Sequence, residues 1–275
     1  MMPADLPPHA ADLAAVANGL ARLRRFTPAR IGLGRTGSAQ PTEASLKFLL
    51  DHARARDAVH AALDFKALAE TLRTQGWRPE QVHSAASDRT EYLRRPDLGR
   101  LLSHDGRATV EGLQRGSDVV VIAADGLSAS AVEIHLAPLL DRLRPLLQRR
   151  GLTIGPVVLV AQGRVAIGDE IGELTEAKLA LVLIGERPGL SAADSLGAYI
   201  TWRPRIGAMD SGRNCVSNIR AAGLPPSQAA SQIDELIGWA FLHAATGVRL
   251  NDLRFAEVGL GAVEAIEGKG ATSTQ

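Results

Sequence analysis

Apolar and polar positions along the chain keep two different rhythms, and the change between them falls near Gly116. Between Pro41 and Leu63 the apolar positions Leu46, Leu49, Leu50 and Ala53 recur at helical spacing with Lys47, Asp51 and Arg54 between them, which predicts an amphipathic helix. A second helix is predicted over Phe65–Gln75, stopped by Gly76 and Pro79. Residues 31–115 therefore read as mainly helical, after an Ala-, Pro- and Arg-rich arm over residues 1–30. From Asp118 short apolar runs alternate with helical patterns, the signature of βαβ units and a parallel sheet.

Within that second half, strands are predicted at Val119–Ala124, Pro156–Ala161, Leu179–Ile184 and Ala198–Trp202. Ser130 and Glu133 have the spacing of a capping box opening a long helix, which Pro138 and Pro145 should kink and which should end at Gly151. A short helix is expected over Asp169–Ala177, a loop over Arg203–Ile219 and a closing helix over Pro226–Thr246. The tail from Glu257 has the composition of a disordered segment. The expected fold class is α/β, a Rossmann-like parallel-sheet domain (117–255) with an N-terminal arm and helical domain (1–116) and a flexible tail (256–275).

Leu179–Ile184 is apolar on both faces, as a central parallel strand must be, and it empties into a loop carrying Gly185, Glu186, Arg187, Pro188 and Gly189. Two other strands deliver Asp125–Ser128 and Gln162–Val165 to the same edge. Ligands of open α/β sheets bind at that carboxyl rim, so three converging loops make it the candidate site. Glu186 is either a ligand contact at the strand mouth or one residue of a solvated turn.

Composition removes several function classes. The 31 Lys+Arg and 30 Asp+Glu residues nearly cancel, so charge does not point to nucleic acid or to a membrane surface as partner. One cysteine, Cys215, excludes an intrachain disulfide and fits a reducing compartment; no run reaches the length of a membrane span, and the N-terminus lacks a signal peptide's basic region. A cytoplasmic address is expected. The seven histidines show no metal-ligand spacing, and no metal site is expected. Cys215 reads as a small core hydrophobe or as a nucleophile. The charge-dense segment Asp88–Asp97 reads either as a solvated helix face or as a protein contact.

Gly32–Gly37 matches G-x-G-x-x-G, and Asp57 follows at about the distance of a ribose-binding acid. The match is read as accidental, because polar, proline-interrupted residues precede it where a buried strand is required. There is no G-x-S-x-G, H-E-x-x-H or Walker motif.

Taken in order, GRTG and SLKFLLDHARARDAV, then YLRRPDLGR, DGLSASAV, QGRVAIGDEIGE, LIGERPGLSAADSL and CVSNIRAAGLPP resemble the small subunit of ethanolamine ammonia-lyase, from about Arg30 to Asp252. The resemblance implies an adenosylcobalamin-dependent complex that converts ethanolamine to acetaldehyde and ammonia by a radical mechanism. In it a large subunit would supply the catalytic residues, and this chain would cover the cobalamin and receive its nucleotide side. Carried over by residue, the implied cofactor contacts are Val165, Glu186 and Cys215; Gly185 joins them on the argument that a missing Cβ lets the corrin edge or its tail approach. The chain lacks D-x-H-x-x-G, so a base-on cofactor is expected, with Glu186 as an orienting acceptor. No catalytic residue is expected on this chain. Against the enteric members its N-terminus is shorter, where an extension is linked to microcompartment packaging, and its tail after Asp252 is longer.

Two other readings make different demands. A free-standing Rossmann-type enzyme, using a dinucleotide or S-adenosylmethionine through Asp125 and the Gly32–Gly37 segment, requires a strand before Gly32. A purely structural subunit requires a rim closed by side chains.

Overall fold

The computed structural model describes residues 19, 20 and 22–256. In chain order the elements are helices α1 (Thr42–His60) and α2 (Phe65–Thr74), strand β1 (Pro79–His83), helices α3 (Arg89–Arg94) and α4 (His104–Glu111), then β2 (Val119–Ala124), α5 (Ala129–Arg149), β3 (Ile154–Ala161), α6 (Ile167–Leu174), β4 (Leu179–Gly185), β5 (Leu196–Trp202), β6 (Arg213–Ile219) and α7 (Pro226–His243). The fold is α/β, as expected. The tail expected to be disordered, from Glu257, lies outside the described residues.

The strands form one sheet in the order β1-β3-β2-β4-β5-β6. The first four are parallel, and β5 and β6 extend the sheet antiparallel at one side. Because β2 and β4 are apolar at every position, alternate residues feed two cores. Val119, Val121 and Ala123 face α2, α5 and α7, whereas Val120, Ile122 and Ala124 face α4 and α6. A strand buried on both sides cannot carry the polar alternation of a half-exposed one, which is why β2 and β4 were legible as central.

Two strands depart from expectation. Residues 31–115 contain β1, which pairs with β3 along one side only. Its sequence PEQVH buries Pro79 and Val82 and exposes Glu80 and Gln81, and a proline at the start of an edge strand forfeits no ladder bond. The expected loop 203–219 contains the opposite edge strand, β6, whose RNCVSNI shows little apolar content because three of its seven residues face solvent.

Helix boundaries move for identifiable reasons. The cap of α5 is Ser128, whose Oγ accepts from Ala131 N at 3.3 Å and donates to Ala193 O at 2.7 Å, so the Ser130–Glu133 box is displaced by two residues. The helix runs as one element through Pro138 and Pro145 and stops at Gly151, where φ is +73°. The short helix is Ile167–Leu174 in place of Asp169–Ala177, and the closing helix starts at Pro226 as expected but ends at His243, where Ala244 takes a left-handed φ of +50°.

The described residues divide into two compact units, one within 19–56 with Gly189–Ser191 and one over 57–188 with 192–256. Inside the first, Arg30 pairs with Asp51 at 2.7 Å and lies 5.4 Å from the Phe48 ring centre. The apolar stripe of α1 is not packed into a core: Leu46, Leu49 and Leu50 are more than half exposed. Among the described residues no strand precedes Gly32, and Asp57 lies within α1, so the Gly32–Gly37 segment lacks the described surroundings of a dinucleotide fingerprint. No helix among the described residues is long and apolar enough to cross a membrane.

Candidate ligand-binding rim

The chain leaves β2 for β3 on one side, while β4 lies on the other, so the strand order reverses between the carboxyl ends of β2 and β4. That reversal opens the crevice where ligands of doubly wound sheets bind. Its floor is two loops held together by their backbones. Leu127 N donates to Gly185 O at 2.9 Å, and a Cβ on Gly126 would fall on that same carbonyl. A Cβ on Gly185 would fall on the carbonyls of Ser128 and Asp125. Glycine is therefore required at both positions by contact within the chain itself.

The third loop, Gln162–Val165, is fastened from below. Asp125 Oδ1 accepts from Gln162 N at 2.7 Å, and Asp125 lies 3.5 Å from the Arg89 guanidinium. Burial pushes the Asp125 carboxyl up to about 6, against the opposing pull of Arg89 and the Gln162 amide. Arg89 also donates to Val59 O and Gly126 O, at 2.7 and 2.8 Å.

Tyr92, fully buried, donates its hydroxyl to Gly163 O at 3.1 Å, and burial raises its phenol to about 12. Arg89 and Arg164 both lie over its ring, at 4.8 and 4.2 Å from the centroid. The segment Asp88–Asp97 is thus neither purely solvated nor purely a contact surface: Arg89 and Tyr92 turn inward to brace the rim, while Arg94, Arg95 and Asp97 are exposed.

The sequence-inferred site residues meet on this rim. Val165, Gly185 and Glu186 line a cavity of about 380 Å³, and Val165 and Cys215 line an adjoining one of about 690 Å³. The two share Arg164, Val165 and Tyr199. The rim is open, not closed by side chains.

Glu186 is held in place at both ends. Its backbone N donates to Ser195 O at 2.9 Å, and its Oε2 accepts from Ser195 Oγ at 2.5 Å and from Asn218 N at 3.2 Å. Gly197 gives the carboxylate room, since a Cβ there would stand 2.8 Å from Oε1. A carboxylate fixed this way is an acceptor with a set direction.

Cys215 lies on β6 directly across from Tyr199 on β5. Partial desolvation of the sulfur by its neighbours raises the thiol, and burial together with the cysteine raises the Tyr199 phenol. Cys215 is exposed at the surface as a neutral thiol, which makes it neither a core hydrophobe nor an activated nucleophile.

Beneath the larger cavity Arg213 is buried and joined to Asp169 by two bonds of 2.6 and 2.7 Å, with Thr201 Oγ1 and Ala208 O as further acceptors. Among the described residues no group of three His, Cys, Asp or Glu side chains could hold a metal ion. Arg164, Tyr199, Tyr92 and Arg89 are the rim residues that sequence reasoning did not single out. Arg164 stands inside the quoted QGRV loop, and Arg89 and Tyr92 stand in the Asp88–Asp97 segment, read only as a solvated face or a protein contact; Tyr199 lies on a strand whose facing depends on the fold.

The fold is thus of the doubly wound class, with an open crevice at its strand-order reversal lined by an oriented carboxylate, a cysteine and a stacked guanidinium, where ligands of such sheets bind. Sequence comparison makes this specific, for the profile of the ethanolamine ammonia-lyase light chain matches residues 17–251. The chain belongs to that family. It is 50% identical over 236 residues to the ethanolamine ammonia-lyase small subunit of Xanthomonas campestris pv. campestris, covering 84% of this chain and 87% of the relative. The small subunit of Pseudomonas syringae pv. tomato is 49% identical over 245 residues, 88% of this chain and 85% of that one. The small subunit of Pseudomonas putida strain GB-1 is 50% identical over 234 residues, 84% and 86% of the two chains.

Proposed function

We propose that this chain is the cofactor-covering, non-catalytic subunit of an adenosylcobalamin-dependent ethanolamine ammonia-lyase, working in a hetero-oligomer with a large subunit that supplies the catalytic residues. The observation that carries the reading is the convergence of Val165, Gly185, Glu186 and Cys215 on one open rim, inside a chain of this family.

The residues present suit a corrinoid. Its periphery carries amides, which need fixed acceptors and donors, and Glu186 is such an acceptor. Its edge is apolar, and Val165 with the Tyr199 ring offers an apolar wall shared by both cavities. Cys215 would meet the ligand as an uncharged thiol. Gly185 would contribute backbone only, its missing side chain already being required by the loop it packs against. When bound, the cofactor would supply the homolytic radical chemistry by which ethanolamine becomes acetaldehyde and ammonia. The chain's own task is to orient the corrin face and keep water from it. Without a D-x-H-x-x-G loop the chain brings no replacement for the cofactor's benzimidazole, so the base-on form is the one it would hold.

The exposed Leu46, Leu49 and Leu50 of α1 support the presence of a partner, because a row of exposed leucines on one helix gains most from burial by another protein. The cytoplasm, with or without a microcompartment around it, is the address that goes with this reading.

The test is acetaldehyde formation from ethanolamine and adenosylcobalamin by this chain alone, by a large subunit alone and by the two together. Activity confined to the mixture is expected. An inactive mixture, in a complex shown to have formed, refutes the proposal, and turnover by this chain alone refutes its non-catalytic part.

A further inference from the structure

Arg164 is a rim cation that no carboxylate among the described residues pairs, although its position is fixed. Its backbone N donates to Gly99 O at 2.7 Å, its guanidinium is stacked 4.2 Å from the Tyr92 ring centre, and Nη2 donates to Tyr92 O at 3.2 Å. Its Nε is buried and makes no hydrogen bond. No carboxylate among the described residues pairs with it, whereas its neighbours Arg89 and Arg213 are paired, with Asp125 and Asp169. A half-buried guanidinium held by a ring and one carbonyl keeps most of its donor fork unused, and the fork matches a phosphate or carboxylate.

The surroundings favour an anion. Arg164 borders both cavities, with Arg187 on the smaller and Arg100 on the larger. Of the carboxylates near them, Asp210 is paired with Arg213 at 3.3 Å, and Glu186 is turned toward Ser195 and Asn218, whose Oγ and N donate to its Oε2.

We propose that Arg164 is the anion seat of this rim, and that the group it takes is the phosphodiester linking the corrin of cobalamin to its nucleotide. The inference rests on the cofactor reading above and adds to it the residue that would fix which end of the cofactor enters the crevice. Stacking on Tyr92 orients the guanidinium before any ligand arrives, so little side-chain entropy is lost when the anion pairs with it.

The test compares two probes on the complex of this chain with its large subunit: cyanocobalamin, and dicyanocobinamide, which has the same corrin without phosphodiester or nucleotide. Affinities are read by equilibrium ultrafiltration and visible absorbance, so no turnover is needed. Arg164→Ala is expected to weaken cyanocobalamin by about 10- to 100-fold, the range of a charge-assisted hydrogen bond, while cobinamide changes less than about twofold. Arg164→Lys, which keeps the charge, should recover part of the loss. Equal weakening of both probes would mean that Arg164 only supports the loops, and no weakening of either would mean that it touches nothing charged; each overturns the proposal. If the wild-type complex retains neither probe, the cofactor reading itself falls and the anion seat with it. Salt gives a reading independent of cobinamide: wild-type affinity for cyanocobalamin should fall with ionic strength and the Arg164→Ala slope should be flatter, an unchanged slope again overturning the proposal.

Discussion

The buried carboxyl of Asp125 gives the sharpest physical prediction, because burial and pairing act on it in opposite directions. It lies beneath the junction of two rim loops, 6% exposed, with Arg89 at 3.5 Å and the Gln162 amide at 2.7 Å. Burial prevails and lifts its pKa to about 6, from an ordinary carboxyl value of 3.8. A folded-state value above the unfolded one means that the native protein binds the proton more tightly. The stabilisation from this group is therefore full below about pH 4 and is lost as pH rises through about 6. Integrating the linkage with those two values, the wild type should lose about 1 kcal/mol between pH 5 and pH 7 through Asp125 alone. Other groups titrate in the same window, so the effect is isolated by subtracting Asp125→Asn, which removes the titration and keeps the shape. Urea unfolding of both proteins at the two pH values is the assay, read as midpoint times slope. Asp125→Asn should gain on the wild type by about 1 kcal/mol from pH 5 to pH 7. A difference that does not move with pH refutes the burial argument. A wild type that instead gains on the variant as pH rises would show that the Arg89 pair dominates.

Two further predictions concern the framework. Gly185→Ala places a Cβ on the carbonyls of Ser128 and Asp125, so it should cost about 1–3 kcal/mol of unfolding free energy as an overpacked contact and disturb the Asp125–Ser128 loop; unaltered stability would mean that the loop yields freely. Asp169→Ala removes the bidentate partner of a guanidinium whose side chain is 2% exposed, and should destabilise by about 3–5 kcal/mol in denaturant unfolding, as expected when a buried charge loses its partner.

How much of the molecule could be read in advance follows the distribution of apolar residues. Strands β2 and β4 were legible because burial on two faces demands apolar residues at every position, and the rim was legible because loops at the carboxyl ends of such strands share an edge. Edge strands are under no such demand. β1 and β6 each pair on one side and expose several residues, so their sequences resemble loops until the ladder is seen. The α1 stripe failed in the opposite direction: its helical spacing was correct, but spacing reports an amphipathic helix and not what covers it, and Leu46, Leu49 and Leu50 remain exposed.

Local sequence by itself determined which segments are helix and central strand, where the carboxyl-edge loops begin, and the presence of Val165, Gly185, Glu186 and Cys215 in or near those loops. Those features depend on the periodicity of burial and on backbone punctuation, which neighbouring residues encode. Only the tertiary structure decided that β6 lies beside β5, setting Cys215 across from Tyr199, and that α3 turns Arg89 and Tyr92 inward under the rim. The same holds for Gly185, whose missing side chain is required by the carbonyls of another loop, and for Arg164, which is stacked and fixed but left without an anion. Each of these facts is a contact between residues far apart in the chain. A charge, a cavity or a missing Cβ takes its meaning from what lies across the gap, and the order of residues alone does not specify that neighbour.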